Sequence, residues 1–538
     1  MENVLEEEAA VTIQDVNGKL FVDTDNILKV KDFEGVIDTI KLSDSAGMIY
    51  YIDPTGNNST GNGTITKPWK NLAKACATVT SGTIHVNAGT YTEVSQSKLS
   101  IGVSIEGVGD ASVIKAGQSK VAMLLLESTG EGTMGNQQIS CVKFDGRGLT
   151  GKRGIDIIKR SNISIHHCTF IDFLEYAVCY VGKDTTTEPT IYAINNSFHN
   201  NVVTNCSKDM GDFVYGALLI NGQKSMMIYA NKMVEQTVGR NGCCITGVIG
   251  HLDNVKIFNN TLKVLDNLDS WNFAIELWFA HGLEIYNNDI QGRINVDTSS
   301  KGTNDLGVYI HNNSIYQSVQ ATGNNMGISF DGMNTDTVIK YNDVYNWCSA
   351  IYYYFVDSSS GTKNIDIGYN LLRKIGGAGY DGSVIKQETA SGAPVCENWI
   401  MYNNTMQCYK EADNGIRINV SGVWKNFYIL NNIIIGASDN ESWHVNEGIK
   451  IEGVGSLNNL RIENNNIFTW LTRNITEILI ATNRGFVNNI SVDSLFVSTS
   501  NYHLQFISPC KAFGINLGMK LDYGDNRVTD TPSLGIYE

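Results

Sequence analysis

The chain has 538 residues, 42% of them hydrophobic, with 52 glycines and only 6 prolines. This excludes global disorder and favours strands joined by tight turns, in a length that suits a solenoid growing by added coils better than one compact domain. A formal net charge of −15 argues against a phosphate-rich partner, whether DNA, RNA or anionic membrane, and leaves a polysaccharide open.

Residues 1–46 open with Met1, Glu2, Asn3, Val4 and Leu5 and then three glutamates, without the basic and apolar regions of a secretory signal. No apolar run reaches membrane-spanning length. The segment holds strand-like stretches such as Lys19-Leu20-Phe21-Val22 and is predicted to be an attachment or oligomer-contact module. Either a signal is removed from the protein, or it leaves the cell by lysis, as a virion protein does.

Residues 47–125 are predicted to enter and cap the solenoid. Thr66-Lys67-Pro68-Trp69 starts a short helix with proline in its tolerated first turn, and Leu72, Cys76 and Val79 line one face. Strands follow at residues 83–86 and 103–107. Such a cap keeps the open edge of the first coil from pairing with another chain.

Residues 126–490 repeat. Asparagine recurs just after a short apolar strand: Asn195-Asn196, Asn231, Asn259-Asn260, Asn287-Asn288, Asn312-Asn313, Asn342, Asn370, Asn403-Asn404, Asn431-Asn432 and Asn464-Asn465. The spacings along Asn231, Asn259, Asn287, Asn312, Asn342, Asn370, Asn403, Asn431 and Asn464 are 28, 28, 25, 30, 28, 33, 28 and 33 residues, one coil plus variable loops. Coils need sharp corners, which asparagine tolerates in the left-handed backbone region. Stacked coils also bring the amides above one another, where they can bond in a ladder. A second repeat precedes each asparagine: a small residue, then alternation, as in Ala274-Ile275-Glu276-Leu277-Trp278, Gly327-Ile328-Ser329-Phe330-Asp331, Gly415-Ile416-Arg417-Ile418-Asn419 and Gly448-Ile449-Lys450-Ile451-Glu452. Period two marks a strand with one buried face. Residues 491–538 are predicted to cap the far end. The 11 cysteines include no zinc-type CxxC pair, and Cys141, Cys168, Cys179, Cys243, Cys244 and Cys408 sit among apolar neighbours. They are predicted to be buried thiols stacked inside the coils, a usage that suits folding in a reducing cytoplasm.

Tyr50-Tyr51-Ile52-Asp53-Pro54-Thr55-Gly56, Pro68-Trp69-Lys70-Asn71-Leu72 and Val86-Asn87-Ala88-Gly89-Thr90-Tyr91 resemble the entry segment of right-handed parallel β-helix proteins of the pectate-lyase-like superfamily. Ser508-Pro509-Cys510-Lys511-Ala512-Phe513-Gly514, Asp522-Tyr523-Gly524-Asp525 and Leu534-Gly535-Ile536-Tyr537 are similar to their C-terminal finish. The resemblance covers residues 48–538 and implies an all-β, right-handed parallel β-helix with a short N-terminal capping helix. That scaffold carries lyases, hydrolases, epimerases and phage tailspikes, so it leaves the activity open. Tailspikes of this class are usually homotrimers.

Aligning coils on the small residue gives one outward column: Asp156, Cys179, Leu219, Thr246, Glu276, Asn295, Ser329, Tyr352, Lys386, Arg417, Lys450. Two residues on lies a second: Ile158, Val181, Asn221, Val248, Trp278, Asp297, Asp331, Tyr354, Glu388, Asn419, Glu452. Coils stack about 4.8 Å apart, so from Glu276 onward the two columns make one continuous polar strip. Trp278, Tyr352 and Tyr354 offer flat faces to pyranose rings, Glu388, Asn419 and Glu452 accept or donate hydroxyl hydrogen bonds, and Lys450 meets acidic groups. The same residues also fit a solvated sheet face with ordinary cross-strand pairs, such as Glu388 beside Lys386 and Arg417.

Two chemistries fit the strip. In a hydrolase, two carboxylates divide the roles: Asp297 and Asp331 on adjacent coils approach the retaining separation, and Glu276 with Asp331, two coils apart, the inverting one. In a lyase, Lys386 or Arg417 takes the proton α to a uronate carboxyl, with Ca²⁺ neutralising the sugar acid. Lys386 followed by Arg417 one coil later is similar to the base pair of β-helix lyases, but their acidic metal cluster is missing before the lysine. A lysine acts as a base only when neutral, and Glu388 favours the charged form. No metal site is predicted from the residues themselves. His166-His167 is predicted to decorate a turn, since neighbouring strand residues face opposite ways. Trp271 and His281 flank the Glu276 strand, and Lys208, Asp209 and Asp212 lie in an insertion that could cover the strip. The sequence thus points to a protein that binds, and in two of its readings cleaves, a polysaccharide. It is either tailspike-like, on a virion, or a secreted or cell-surface bacterial lyase or glycoside hydrolase. A non-catalytic adhesin or structural virion protein is the third reading.

Overall fold

Isoleucines stack through the coils in register. Ile245, Ile275, Ile294, Ile328, Ile351, Ile385, Ile416, Ile449 and Ile475 are consecutive partners in parallel strands. A β-branched side chain fills the pleat between equivalent neighbours above and below, which is why one residue type recurs at the inward position. The computed structural model describes the strands Lys19–Val22, Leu28–Lys31 and Ile37–Ile40 and then residues 48–538, apart from 118–121, 149, 184–187, 208–215, 237–242, 266–272, 298–304, 322–324, 333, 356–360, 377–381, 410–411, 437–446, 469–472 and 478–480. Trp271 and the insertion residues Lys208, Asp209 and Asp212 therefore lie outside the described residues.

The chain forms two units, Met1–Ile49 and Tyr50–Glu538. In the first, the three early strands make an antiparallel sheet in sequence order. The second is a right-handed parallel β-helix. Each coil runs through three faces. Among the described residues the first face is a sheet of 14 parallel strands, from Ser97–Lys98 to Arg473–Glu477. The second face bends midway: in one coil it comprises Ala280–His281 and Glu284–Tyr286. The third face follows as Asp289–Gln291 and leads back to the first at Arg293–Asp297. Apolar residues from all three faces fill the bore, with Trp347, Trp399, Trp424, Phe330 and Tyr353 fully buried.

The doubled asparagines divide their labour. The first of each pair takes the left-handed corner: Asn259, Asn287, Asn312, Asn403, Asn431 and Asn464 have φ between 49° and 58°. The second turns inward, and its amide bonds the next coil's. This ladder runs Asn201, Asn231, Asn260, Asn288, Asn313, Asn342, Asn370, Asn404, Asn432, Asn465, Asn489, with amide-to-amide distances of 2.9–3.1 Å. Asn195-Asn196 stands outside it: Asn196 bonds Gln223, at the bend of the second face. The ladder starts instead at Asn201, one corner later in the same coil. A further ladder lies on the outside, at the second-face bend, through Asp336, Asn364, Asn398, Asn426 and Asn459.

The capping helix is Leu72–Thr78, beginning beyond the Thr66-Lys67-Pro68-Trp69 stretch expected to start it. Asn71 is its N-cap, and Glu93, reaching over from Gly89–Glu93, accepts from Leu72 N and Ala73 N. A buried carboxylate on the first amides replaces the expected proline turn. Trp69 packs into the core, its ring against Tyr50. All 11 cysteines are free thiols and ten are buried; Cys141 is the half-buried exception, at a corner with φ 56°. His166 belongs to a stack of rings that continues through His199, Tyr229, Phe258, Tyr286 and His311 at 4.6–5.1 Å, so it is a rung rather than turn decoration. No helix of the described residues is long and apolar enough to cross a membrane.

Candidate functional site

Strand pairing on the first face joins the first outward column in one unbroken register. Asp156, Cys179, Leu219, Thr246, Glu276, Asn295, Ser329, Tyr352, Lys386, Arg417 and Lys450 are consecutive partners. In the second column Trp278, Asp297, Asp331, Tyr354 and Glu388 pair in turn, and Asn419 pairs with Glu452. The strands carrying Asp297 and Asp331 pair in register, so those two carboxylates are neighbours on adjacent strands.

The strip divides into two chemically different halves. The upstream half gathers Glu276, Asp297 and Asp331 around Arg293. Glu276 is 4% exposed. Its Oε1 accepts from Trp278 Nε1 at 3.3 Å, and its Oε2 is buried without a hydrogen-bond partner. Burial pushes the Glu276 carboxyl up to about 8, against the pull of the Trp278 hydrogen bond and the Arg293 charge. Asp331 is raised to about 6, chiefly by burial, with Arg293 holding it down and Asp297 adding to the rise. Burial lowers the pKa of Arg293, opposed most by Asp331 and then Glu276. Its Nε donates to Ser329 Oγ at 2.7 Å and its Nη2 to Asn295 Oδ1 at 3.3 Å, with the guanidinium 4.9 Å from the centre of the Phe273 ring. Two carboxyl groups whose environments set their pKa values apart are what acid–base chemistry needs. Arg293 was absent from the sequence-derived set. It sits two residues before Asn295, one step of the same period-two alternation upstream, and extending the columns that far finds it.

The downstream half is an ion-pair chain. Lys386 Nζ lies 2.9 Å from Glu388 Oε1 and 5.9 Å from the centre of the Tyr352 ring, and Tyr352 donates to Glu388 Oε2 at 2.9 Å. Arg417 pairs with Glu452 at 2.7 Å and reaches Glu388 at 3.8 Å. Lys450 joins Glu452 at 3.3 Å and Glu447 at 3.8 Å. Tyr354 stacks on Tyr352, with ring centres 6.1 Å apart, and Asn419 is held through its backbone by Gln387. Lys386, 1% exposed, has its ammonium engaged by a carboxylate, the arrangement least suited to accepting a proton. Calcium would need six to eight oxygen ligands. No group of His, Cys, Asp and Glu among the described residues could hold a metal ion, and Arg293 fills the middle of the acidic cluster. With a guanidinium among its carboxylates, the acidic cluster does not offer that ligand set.

The acidic cluster has a consequence for stability. Glu276 and Asp331 hold their protons more tightly when folded, so their contribution is complete below the ordinary carboxylate range. It is lost as pH rises through about 6 for Asp331 and about 8 for Glu276. The urea midpoint is expected to be lower at about pH 9 than at about pH 5. Glu276→Gln is expected to remove most of that difference. An equal pH dependence in the variant would mean that Glu276 is not the buried proton-holding group.

No protein-family model matches the chain, and no curated protein matches it. Among solved structures it is similar to the tailspike protein of E. coli bacteriophage HK620 in complex with pentasaccharide, with a TM-score of 0.48 and 12% identity over 78% of this chain and 81% of that one. It is similar to XylC in complex with xylose, with a TM-score of 0.38 and 12% identity over 91% of this chain and 98% of that one. It is similar also to the A-module of the Azotobacter vinelandii mannuronan C-5 epimerase AlgE4, with a TM-score of 0.38 and 13% identity over 78% of this chain and 93% of that one. The fold itself stands on this chain's own strand pairing, parallel from Ile49–Ile52 to Ala481–Val487 among the described residues.

Proposed function

We propose that the first face binds a polysaccharide along its length and that its acidic cluster hydrolyses a glycosidic bond, with Glu276 as general acid and Asp331 as base. The observation that carries this is Glu276: a buried carboxyl raised to about 8, one oxygen unpartnered, beside a second carboxyl at about 6. At neutral pH the first holds a proton to give and the second has room to take one. Two strand spacings separate them, which leaves space for a water and favours inversion at the anomeric carbon. Asp297, between them, and Arg293 hold the local charge. Trp278 and Tyr354 form the walls on which sugar rings stack, and Lys450, Asn419 and Glu452 continue the track. The lyase reading, with Lys386 or Arg417 as base, is disfavoured by the ion pairs that engage both.

The finer reading is a tailspike-like virion protein acting on a bacterial surface glycan, with residues 1–46 for attachment and a homotrimeric assembly. The direct test is turnover on neutral, uronate-containing and capsular polysaccharides, following new reducing ends and the ultraviolet absorbance of unsaturated products together. Reducing ends without absorbance are expected. Both signals together would replace hydrolysis by elimination, and silence across the panel would leave a binding or structural protein.

A further inference from the structure

A second concave feature lies on the third face, beneath the C-terminal hairpin. Strands Phe496–Ser498 and Asn501–Leu504 form that hairpin, and Tyr502 anchors it by donating to Gln407 Oε1 at 2.7 Å. Its turn overhangs an open cleft of about 490 Å³, floored by Asp343, Arg373, Lys374 and Gln407 and bordered by Ser500 and Tyr502. That volume falls in the range of small-ligand sites, roughly 300–1,000 Å³.

Three features mark the floor as built for a ligand. Asp343 grips Arg373 through both carboxylate oxygens, at 2.8 and 2.7 Å, and the guanidinium lies 4.0 Å from the centre of the Tyr345 ring. This fork is planar, rigid and locally neutral, and its carboxylate keeps lone pairs for hydroxyl groups. Gln407 spends its carbonyl oxygen on Tyr502, which leaves its amide hydrogens for the cavity.

The third feature is Lys374. It takes the left-handed corner, with φ 52°. Asp172, Asn205 and Asn346 occupy the equivalent corner in other coils. Those side chains can satisfy a left-handed turn locally, and a lysine cannot. The corner also slips the pairing with Thr405–Cys408 by one residue, between Leu372 and Ile375. Ordinary alternation would send Arg373 and Lys374 to opposite sides, whereas here both line one cavity. The corner thus keeps Lys374 at the cavity wall where asparagine would sit with less strain. Lys374 is exposed, and among the described residues no carboxylate pairs with it, so it brings a positive charge to the floor in a chain of net charge −15.

We propose that this cavity is a second carbohydrate site that takes a sugar unit bearing one carboxylate. The carboxylate meets Lys374, and the ring hydroxyls meet Gln407 and the Asp343–Arg373 fork. The single ammonium of Lys374 matches a monoanionic uronate better than a phosphate dianion. The site goes beyond the first-face reading and does not depend on whether the acidic cluster cleaves anything.

Titration calorimetry of the full chain tests it with glucuronate, galacturonate, glucose and inorganic phosphate as separate probes. Binding of a uronate is expected, at least about tenfold tighter than glucose or phosphate, which is about one charge-assisted contact. Lys374→Ala and Gln407→Ala are each expected to weaken it. Lys374→Asn restores the residue the corner prefers; it is expected to raise the thermal midpoint while weakening uronate binding. No uronate binding, binding that survives Lys374→Asn, or phosphate bound as tightly as uronate would each overturn the assignment.

Discussion

Under the proposed hydrolysis, Glu276→Gln is expected to lower polysaccharide turnover by ~10²–10⁴-fold, the usual worth of a positioned general acid, while leaving polysaccharide binding nearly unchanged. The amide keeps the shape of the side chain and an oxygen for Trp278 Nε1, now 3.3 Å from Glu276 Oε1. What it loses is the proton. In hydrolysis that proton passes to the glycosidic oxygen as the bond to the anomeric carbon breaks. Asp331 removes a proton from the water that attacks the same carbon, and a new hemiacetal results. The pH profile of kcat/KM follows from the two environments. The proposed mechanism requires Asp331 ionised and Glu276 protonated, so activity is expected to fall below about 6 and above about 8, a bell centred near neutrality. In Asp331→Asn the acid limb is expected to vanish along with most of the rate. An unchanged rate in Glu276→Gln would remove this residue from the chemistry. A lowered rate with both limbs intact would make it a positioning residue.

Those carboxylates were legible in the sequence because the small-residue-then-isoleucine repeat fixes which positions point outward. Period two along a strand and a coil near 28 residues place Glu276, Asp297 and Asp331 in two columns, and strand pairing joins the first throughout and the second from Trp278 to Glu388. What alternation could not tell was depth. An outward position is usually solvated, yet Glu276, Asn295 and Ser329 are almost wholly covered by their neighbours on the strip. It also could not separate cation roles. Lys386 and Arg417 look alike from sequence whether they wait for a substrate or are tied to Glu388 and Glu452, and only the side-chain geometry shows the ties. Arg293 was missed because the columns began one alternation step too late, at Asn295, and Arg293 stands where other coils carry the small residue that precedes the column. Lys374 escaped for a different reason: its effect comes from a one-residue slip in pairing, and no periodicity announces a slip in advance.

The asparagine pairs give the largest expected effect on stability. In Asn312-Asn313 the two amides do unlike work, and their variants are expected to differ accordingly. Asn312 is exposed and sits at φ 55°, so Asn312→Gly keeps the corner, with an expected change within about 0.5 kcal/mol. Asn313 is 2% exposed. Its Nδ2 donates to Ile285 O at 2.8 Å, His311 O at 2.9 Å and Asn342 Oδ1 at 3.0 Å, and its Oδ1 accepts the Asn288 backbone and side-chain amides, each at 3.0 Å. Asn313→Ala strands several of those buried groups at once, at about 1–3 kcal/mol each, for an expected loss of about 3–5 kcal/mol. Asn313→Asp is expected to be worse, since it sets a buried charge against the oxygens that the amide now satisfies. Thermal midpoints at one scan rate, backed by urea titration, separate the variants. Equal losses for Asn312→Gly and Asn313→Ala would refute the division of roles. The coil carrying Asn313 also runs from Asp297 to Asp331, so its ladder bonds hold the register that makes those carboxylates neighbours. Asn313→Ala is therefore expected to lower turnover even at temperatures where the chain stays folded. If turnover holds while the midpoint falls, the first face keeps its register without the ladder.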